Sequence, residues 1–213
     1  MQVPDAATRP RVFYGWIVVW AAFAGLAMIF GTAYSFAAFF GSFAQEFDAR
    51  RADVALVFGL SGLLYFVLGA VGGALSDRFG PRVTTTTGMA IIVVALLAAS
   101  FADSLLAVYA AYGVGVGLGI ALVYTPTMGA VQPWFIRNRG LVSGLSSAGI
   151  GAGTLVLPLL ATVWIDAWGW RGGMRMMAGA VAVLGIAATL CLEKNPAARG
   201  LGPDGGPPLA GAG

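Results

Sequence analysis

Asp77, Arg78 and Arg82 are the residues of this chain most plainly placed to do chemistry. They stand within Gly73-Ala74-Leu75-Ser76-Asp77-Arg78-Phe79-Gly80-Pro81-Arg82, a charged island between apolar runs at Val54 to Gly72 and Val83 to Ala99. A carboxylate and two guanidiniums on a tight turn can pair with one another or be offered to a second surface as charge-assisted hydrogen bonds. Tyr34, Tyr65 and Tyr124 form another set, phenols set inside apolar runs. A phenol can donate a hydrogen bond to a carboxylate while its ring packs against apolar surface. It can equally bond a neighbouring helix. Both readings stand for Tyr34 and Tyr124, whereas Tyr65 reads as packing.

Other chemistry is excluded by what is missing. The chain has no histidine, and Cys191 is its single cysteine. That rules out an intrachain disulfide, a Cys/His zinc site and any histidine-based dyad or triad. Ser143, Ser146 and Ser147 lack a base, the nearest lysine in sequence being Lys194, so an enzyme is not expected. Gly113, Gly115, Gly117 and Gly119 imitate a nucleotide loop, but they lie inside an apolar run with no strand before them. Gly115 and Gly119 suit helix packing instead. No cofactor or metal is expected.

The elements that position these residues are membrane helices. The chain is 59% hydrophobic and 10% charged, with a mean hydropathy of +0.85, whereas soluble domains carry about 25% charged residues. The net charge of +3 comes from arginines at the ends of apolar runs, so it reads as a topology signal and not as nucleic-acid binding. A bilayer crossing needs ~20 apolar residues. Six windows qualify: about Val12 to Ala38, Val54 to Leu75, Val83 to Phe101, Leu105 to Val131, Gly140 to Ile165 and Gly173 to Leu192. Pro126 and Pro158 are expected kinks. The fold class is therefore all-α, six transmembrane helices. Residues 1–11 form a cytoplasmic segment, 12–192 the bundle, and 193–213, rich in Gly, Pro and Ala, a disordered cytoplasmic tail. No Asp, Glu, Lys or Arg falls near the middle of a window, so neither a coupling carboxylate nor a buried counter-charge is supplied here.

Loop charges set the orientation. Arg9, Arg11, Arg78, Arg82, Arg137, Arg139, Lys194 and Arg199 share one side, and Arg50, Arg51, Arg171 and Arg175 the other. The excess places both termini in the cytoplasm. An inner (plasma) membrane location follows as an expectation.

The island at 73–82 closely resembles the loop between helices 2 and 3 of the major facilitator superfamily, whose pattern is roughly G-x-L-x-D-R-x-G-R-[RK]. Gly73, Leu75, Asp77, Arg78, Gly80 and Arg82 fall on it, and Pro81 replaces a basic residue. Trp134-Phe135-Ile136-Arg137-Asn138-Arg139-Gly140-Leu141 and the later Gly144 and Gly149 resemble the start of helix 5 in monocarboxylate transporters and the related oxalate/formate antiporters. There Trp134 and Phe135 would sit in the interface belt, Arg137 and Arg139 would anchor the helix end, and Gly140, Gly144, Gly149 and Gly153 would form a thin packing face. Tyr14-Gly15-Trp16-Ile17 and Gly31-Thr32-Ala33-Tyr34 resemble that branch's first helix. With an aromatic at Tyr34, and no lysine nearby, the chain is closer to the oxalate/formate branch.

The resemblance implies half of a transporter that works by alternating access on small carboxylates. Tyr34 and Tyr124 would bind substrate, and Gly73, Asp77, Arg78, Gly80 and Arg82 would gate against a second half. The partners implied are a small carboxylate, the lipid bilayer, and a second six-helix half or another copy of the chain. The alternative is a non-transporting membrane protein, either truncated or acting as an interaction subunit.

Overall fold

The computed structural model describes residues 13–207. Five helices are long and apolar enough to cross a membrane: α1 (Tyr14–Glu46), α2 (Arg51–Phe79), α3 (Pro81–Ala99), α4 (Leu105–Trp134) and α5 (Arg139–Leu190). Among the described residues there is no strand. Local sequence sets the ends. The Ser104 hydroxyl accepts from Ala107 N at 3.2 Å and caps α4. Pro81, which needs no amide partner, opens α3. Gly80, at φ 86°, makes the one-residue junction between α2 and α3, a conformation that costs glycine little.

Two windows expected as separate helices, 140–165 and 173–192, form one helical run here, broken at Gly169, whose φ is 67°. The contacts of α1 show what the break does. Gly149 lies against Phe23 and Gly153 against Ala27, so the arm 139–168 runs alongside α1 in the same direction. Beyond the break, Arg171 pairs with Glu46 at 2.7 Å, while Tyr14 donates to the carbonyl of Cys191 at 3.0 Å. The arm 170–190 therefore runs back against α1. Gly169 reverses the chain.

α1 is the central post. Two-thirds of its most apolar stretch is buried (67%), against 17% for α2. Leu26, Ile29, Phe36, Phe39 and Phe43 of α1 meet Met89 and Ile92 of α3, Tyr112 of α4, and Met174 and Met177 of α5 in one core. Without water to compete, helices associate through close van der Waals packing and small residues. Backbones approach to match. A Cβ on Gly149 would stand 2.1 Å from the Phe23 carbonyl oxygen, and one on Gly153 2.0 Å from that of Ala27. Gly72 meets Ala121 in the same way, bringing α2 onto α4, and Gly88 and Gly119 do so between α3 and α4. Gly115 also abuts α3, at Ala95. Gly140 and Gly144 do not share this face: a Cβ on either would meet nothing within 4 Å.

Two further expectations are corrected. The segment after residue 192 is not a loose tail as far as residue 207. It makes turns at Pro196–Arg199 and Pro203–Gly205 and is bonded beneath the bundle. Glu193 pairs with Arg82 at 2.9 Å and Arg199 at 3.7 Å, and its carbonyl accepts from Trp134 Nε1 at 3.2 Å. Asp204 accepts from the amides of Ile136 and Arg137, both at 3.1 Å. Consequently Trp134 and Phe135 are buried under this strap and not exposed as a belt. Residues 1–12 and 208–213, the termini of the expected cytoplasmic segments, lie outside the described residues.

Candidate functional site

The six tyrosines divide cleanly by what their hydroxyls do. Tyr14 donates to Cys191 O, Tyr109 to Asp53 O and Tyr112 to Thr32 O at 2.8 Å. These three tie helices together and have spent their donor. The hydroxyls of Tyr34, Tyr65 and Tyr124 make no hydrogen bond among the described residues. Their rings gather on one side of the bundle, where α1, α2 and α4 meet. Tyr65 is edge-on to Tyr124 at 5.6 Å and to Phe30 at 6.0 Å. Phe30 is edge-on to Tyr124 at 5.6 Å, and Tyr34 to Phe58 at 6.0 Å.

The local sequence explains this cluster. Phe30 and Tyr34 are four residues apart on α1, so they occupy one helix face. Phe58 and Tyr65 are seven apart on α2, two turns along the same face. Between them opens a cavity of about 250 Å3 lined by Phe30, Tyr34, Phe58, Ser61, Tyr65 and Phe66, among others. Tyr34 is half exposed (51%) and Phe66 more so (77%), so the cavity gives onto an open face. Of the two tyrosines singled out from sequence, Tyr34 lines it, while Tyr124 stands behind Tyr65. Tyr65, which reads as packing from sequence, packs against Phe30, Phe66 and Tyr124 and also lines the cavity. The available signal was Tyr65's spacing from Phe58, visible only once α1 is known to lie opposite.

The charged island forms the other feature. Asp77 is exposed, and its carboxylate makes no ion pair among the described residues. Neither neighbour takes it up: Arg78 lies over the ring of Phe79 at 5.2 Å, and Arg82 is held by Glu193 and the carbonyl of Leu192. Lys194 donates to the backbone oxygen of Asp77 at 3.1 Å. Together with Gly73, Ser76, Thr125 and Pro126, Asp77 and Lys194 line a second cavity of about 320 Å3. Arg139 donates to the carbonyl of Phe135 at 2.9 Å, closing the turn into α5. Arg137 contributes its amide to Asp204. No three metal-ligating side chains converge among the described residues.

The described residues thus form a helical bundle with five apolar helices long enough to cross a membrane, one aromatic-lined open cavity and a charged turn at one end. Residues 11–210 match the sequence profile of the Major Facilitator Superfamily, and the chain belongs to that family. It is 33% identical over 200 residues to monocarboxylate transporter 13 of Bos taurus, which covers 92% of this chain and 47% of that protein. It is also 33% identical over 174 residues to human monocarboxylate transporter 11, covering 82% and 37%. Among solved structures, the inward-open xylose transporter XylE from E. coli superimposes with a TM-score of 0.70 at 16% identity, over 87% of this chain and 49% of that one. The chain thus spans about half the length, or less, of the proteins it matches.

Proposed function

We propose that this chain is a six-span half-bundle of a small-carboxylate transporter that works by alternating access. The observation that carries the reading is the set of three uncommitted phenols on one open face. Each can donate one hydrogen bond to a carboxylate oxygen, and a donor turned toward an apolar face without a partner is costly to keep. Gly169 divides Arg139–Leu190 into two crossings. As one straight helix its 52 residues would measure about 78 Å at 1.5 Å per residue, against a hydrocarbon core of about 30 Å.

A second six-helix unit, or another copy of the chain, would complete the cavity. Such inverted and paired bundles place substrate at their interface near the bilayer midplane. The unpaired carboxylate of Asp77 would contact that unit and bias one gating state. Both termini would lie in the cytoplasm and the bundle in the plasma (inner) membrane.

Replacing Tyr34 and Tyr65, the phenols that line the cavity, by phenylalanine tests the site. Each variant is expected to weaken carboxylate binding about threefold to tenfold, the worth of one hydrogen bond of ~0.5–1.5 kcal/mol, with unchanged helical circular dichroism. Wild-type affinity in both variants would remove these phenols from the site. Orientation is tested separately with a membrane-impermeant thiol reagent in a Cys191→Ser background. Gln45→Cys, exposed at the end of α1, is expected to react from outside, and Arg78→Cys, exposed on the opposite side, only after permeabilisation. The reverse pattern would invert the topology.

A further inference from the structure

We infer that the tyrosine-lined cavity selects carboxylates that bear an aromatic ring, and that Tyr65 sets this preference. The inference rests on the carboxylate reading above and adds the other end of the ligand. The cavity offers nothing charged to discriminate with. Its only non-aromatic hydroxyl, that of Ser61, is already given to the carbonyl of Phe58 at 2.9 Å. The rest of the lining is apolar: five rings together with Ala33, Gly62 and Ile120.

That surface is arranged, not merely abundant. Phe30, Tyr65 and Tyr124 stand mutually edge-to-face, with interplanar angles of 89°, 87° and 89°. Tyr34 and Phe58 make a further edge-on pair at 61° across the same opening. Aromatic rings prefer edge-to-face or offset contacts at ~4.5–7 Å because the ring face is negative and its edge positive. Tyr65 is held by three rings, Phe30 and Tyr124 edge-on and Phe66 at 4.6 Å and 43°, which fix its plane where it borders the cavity. A ligand ring placed there extends the herringbone. A saturated ring of the same size buries comparable apolar area but has no quadrupole to match.

The cavity, about 250 Å3 and open on one side, has room for one ring with a short acidic group. With the ring seated between Tyr65 and Phe58, the carboxylate reaches toward the free hydroxyls of the tyrosine set. The structure thus favours benzoate-like acids over equally large aliphatic ones.

Equilibrium dialysis of the purified chain in lipid nanodiscs tests this with three probes: benzoate, cyclohexanecarboxylate and benzamide. Benzoate is expected to bind about threefold to tenfold more tightly than cyclohexanecarboxylate, the range a ring–ring pair supplies. Tyr65→Phe should keep that ratio and Tyr65→Leu should bring it to unity, with Tyr112→Phe as a control that leaves it unchanged. Equal binding of benzoate and cyclohexanecarboxylate by the unmodified chain would overturn the ring preference and leave the carboxylate reading standing. Benzamide binding as tightly as benzoate would overturn the carboxylate reading and leave the ring preference standing. Absence of saturable binding by all three would overturn both.

Discussion

Gly153→Val is expected to unfold the bundle or to leave it destabilised by about 3 kcal/mol or more. The added Cβ would lie 2.0 Å from the Ala27 carbonyl oxygen and 2.6 Å from its Cα. Those are backbone atoms of the most buried helix in the protein, so no side chain can swing aside to make room. Overpacked cores cost ~1–3 kcal/mol when side chains or backbone can shift. Here α1 is also wedged on its other sides by Met89, Tyr112 and Met174, which blocks relief. In a bundle of this size ~3 kcal/mol corresponds to a fall in Tm of roughly 6–12 °C, measurable by thermal denaturation in detergent. Gly144→Ala supplies the contrast. Its Cβ would meet nothing within 4 Å, and alanine is ~0.8–1.0 kcal/mol better than glycine inside a helix. A small rise in Tm is expected there. A fall as large as that of Gly153→Val would show that Gly144 faces an interface after all.

Vesicles holding one copy of this chain are expected to take up no carboxylate by a saturable route. The tyrosine cavity is walled on the α1, α2 and α4 side only, and Phe66 and Tyr34 open outward. Alternating access needs a second wall to rock against the first. Reconstitution at a dilution giving mostly single-copy vesicles, with radiolabelled benzoate or lactate outside, makes the measurement. Uptake that saturates and scales linearly with the number of single-copy vesicles would show that one bundle suffices. Uptake that appears only at high copy number would identify self-association as the source of the second wall.

Much of this architecture is legible in the chain because lipid permits few alternatives. Apolar runs of spanning length, separated by charge, must become helices, since every backbone amide needs an internal partner. The Gly80 turn and the Gly149/Gly153 face follow from glycine at the right spacing. Three things were not legible. The role of Gly169 depends on a positive φ between Trp168 and Trp170, and sequence offers no way to distinguish it from Gly172 or Gly173. The strap after residue 192 looks like linker because its composition lacks an apolar face. It is ordered by long-range bonds, from Glu193 to Arg82 and from Asp204 to the amides of Ile136 and Arg137, which no local pattern announces. Tyr65 packs as its sequence suggests, but that it also borders a cavity depends on α1 lying opposite, which no local pattern announces.

The position of α1 has a temporal consequence. It is made well before it is fully surrounded, because the residues packed closely on it, Gly149 on Phe23, Gly153 on Ala27 and Trp170 on Phe43, are encoded more than 120 residues later. At ~5–20 residues per second of synthesis, α1 waits on the order of ten seconds in the membrane with its small-residue face open to lipid. During that wait Gly25, Gly31 and the alanines around them can pair with any other small-residue helix within reach. Nascent chains halted before residue 149 should therefore be the species most readily captured by insertion chaperones or lost to proteolysis, and release from that risk should come as the 139–168 arm enters the bilayer.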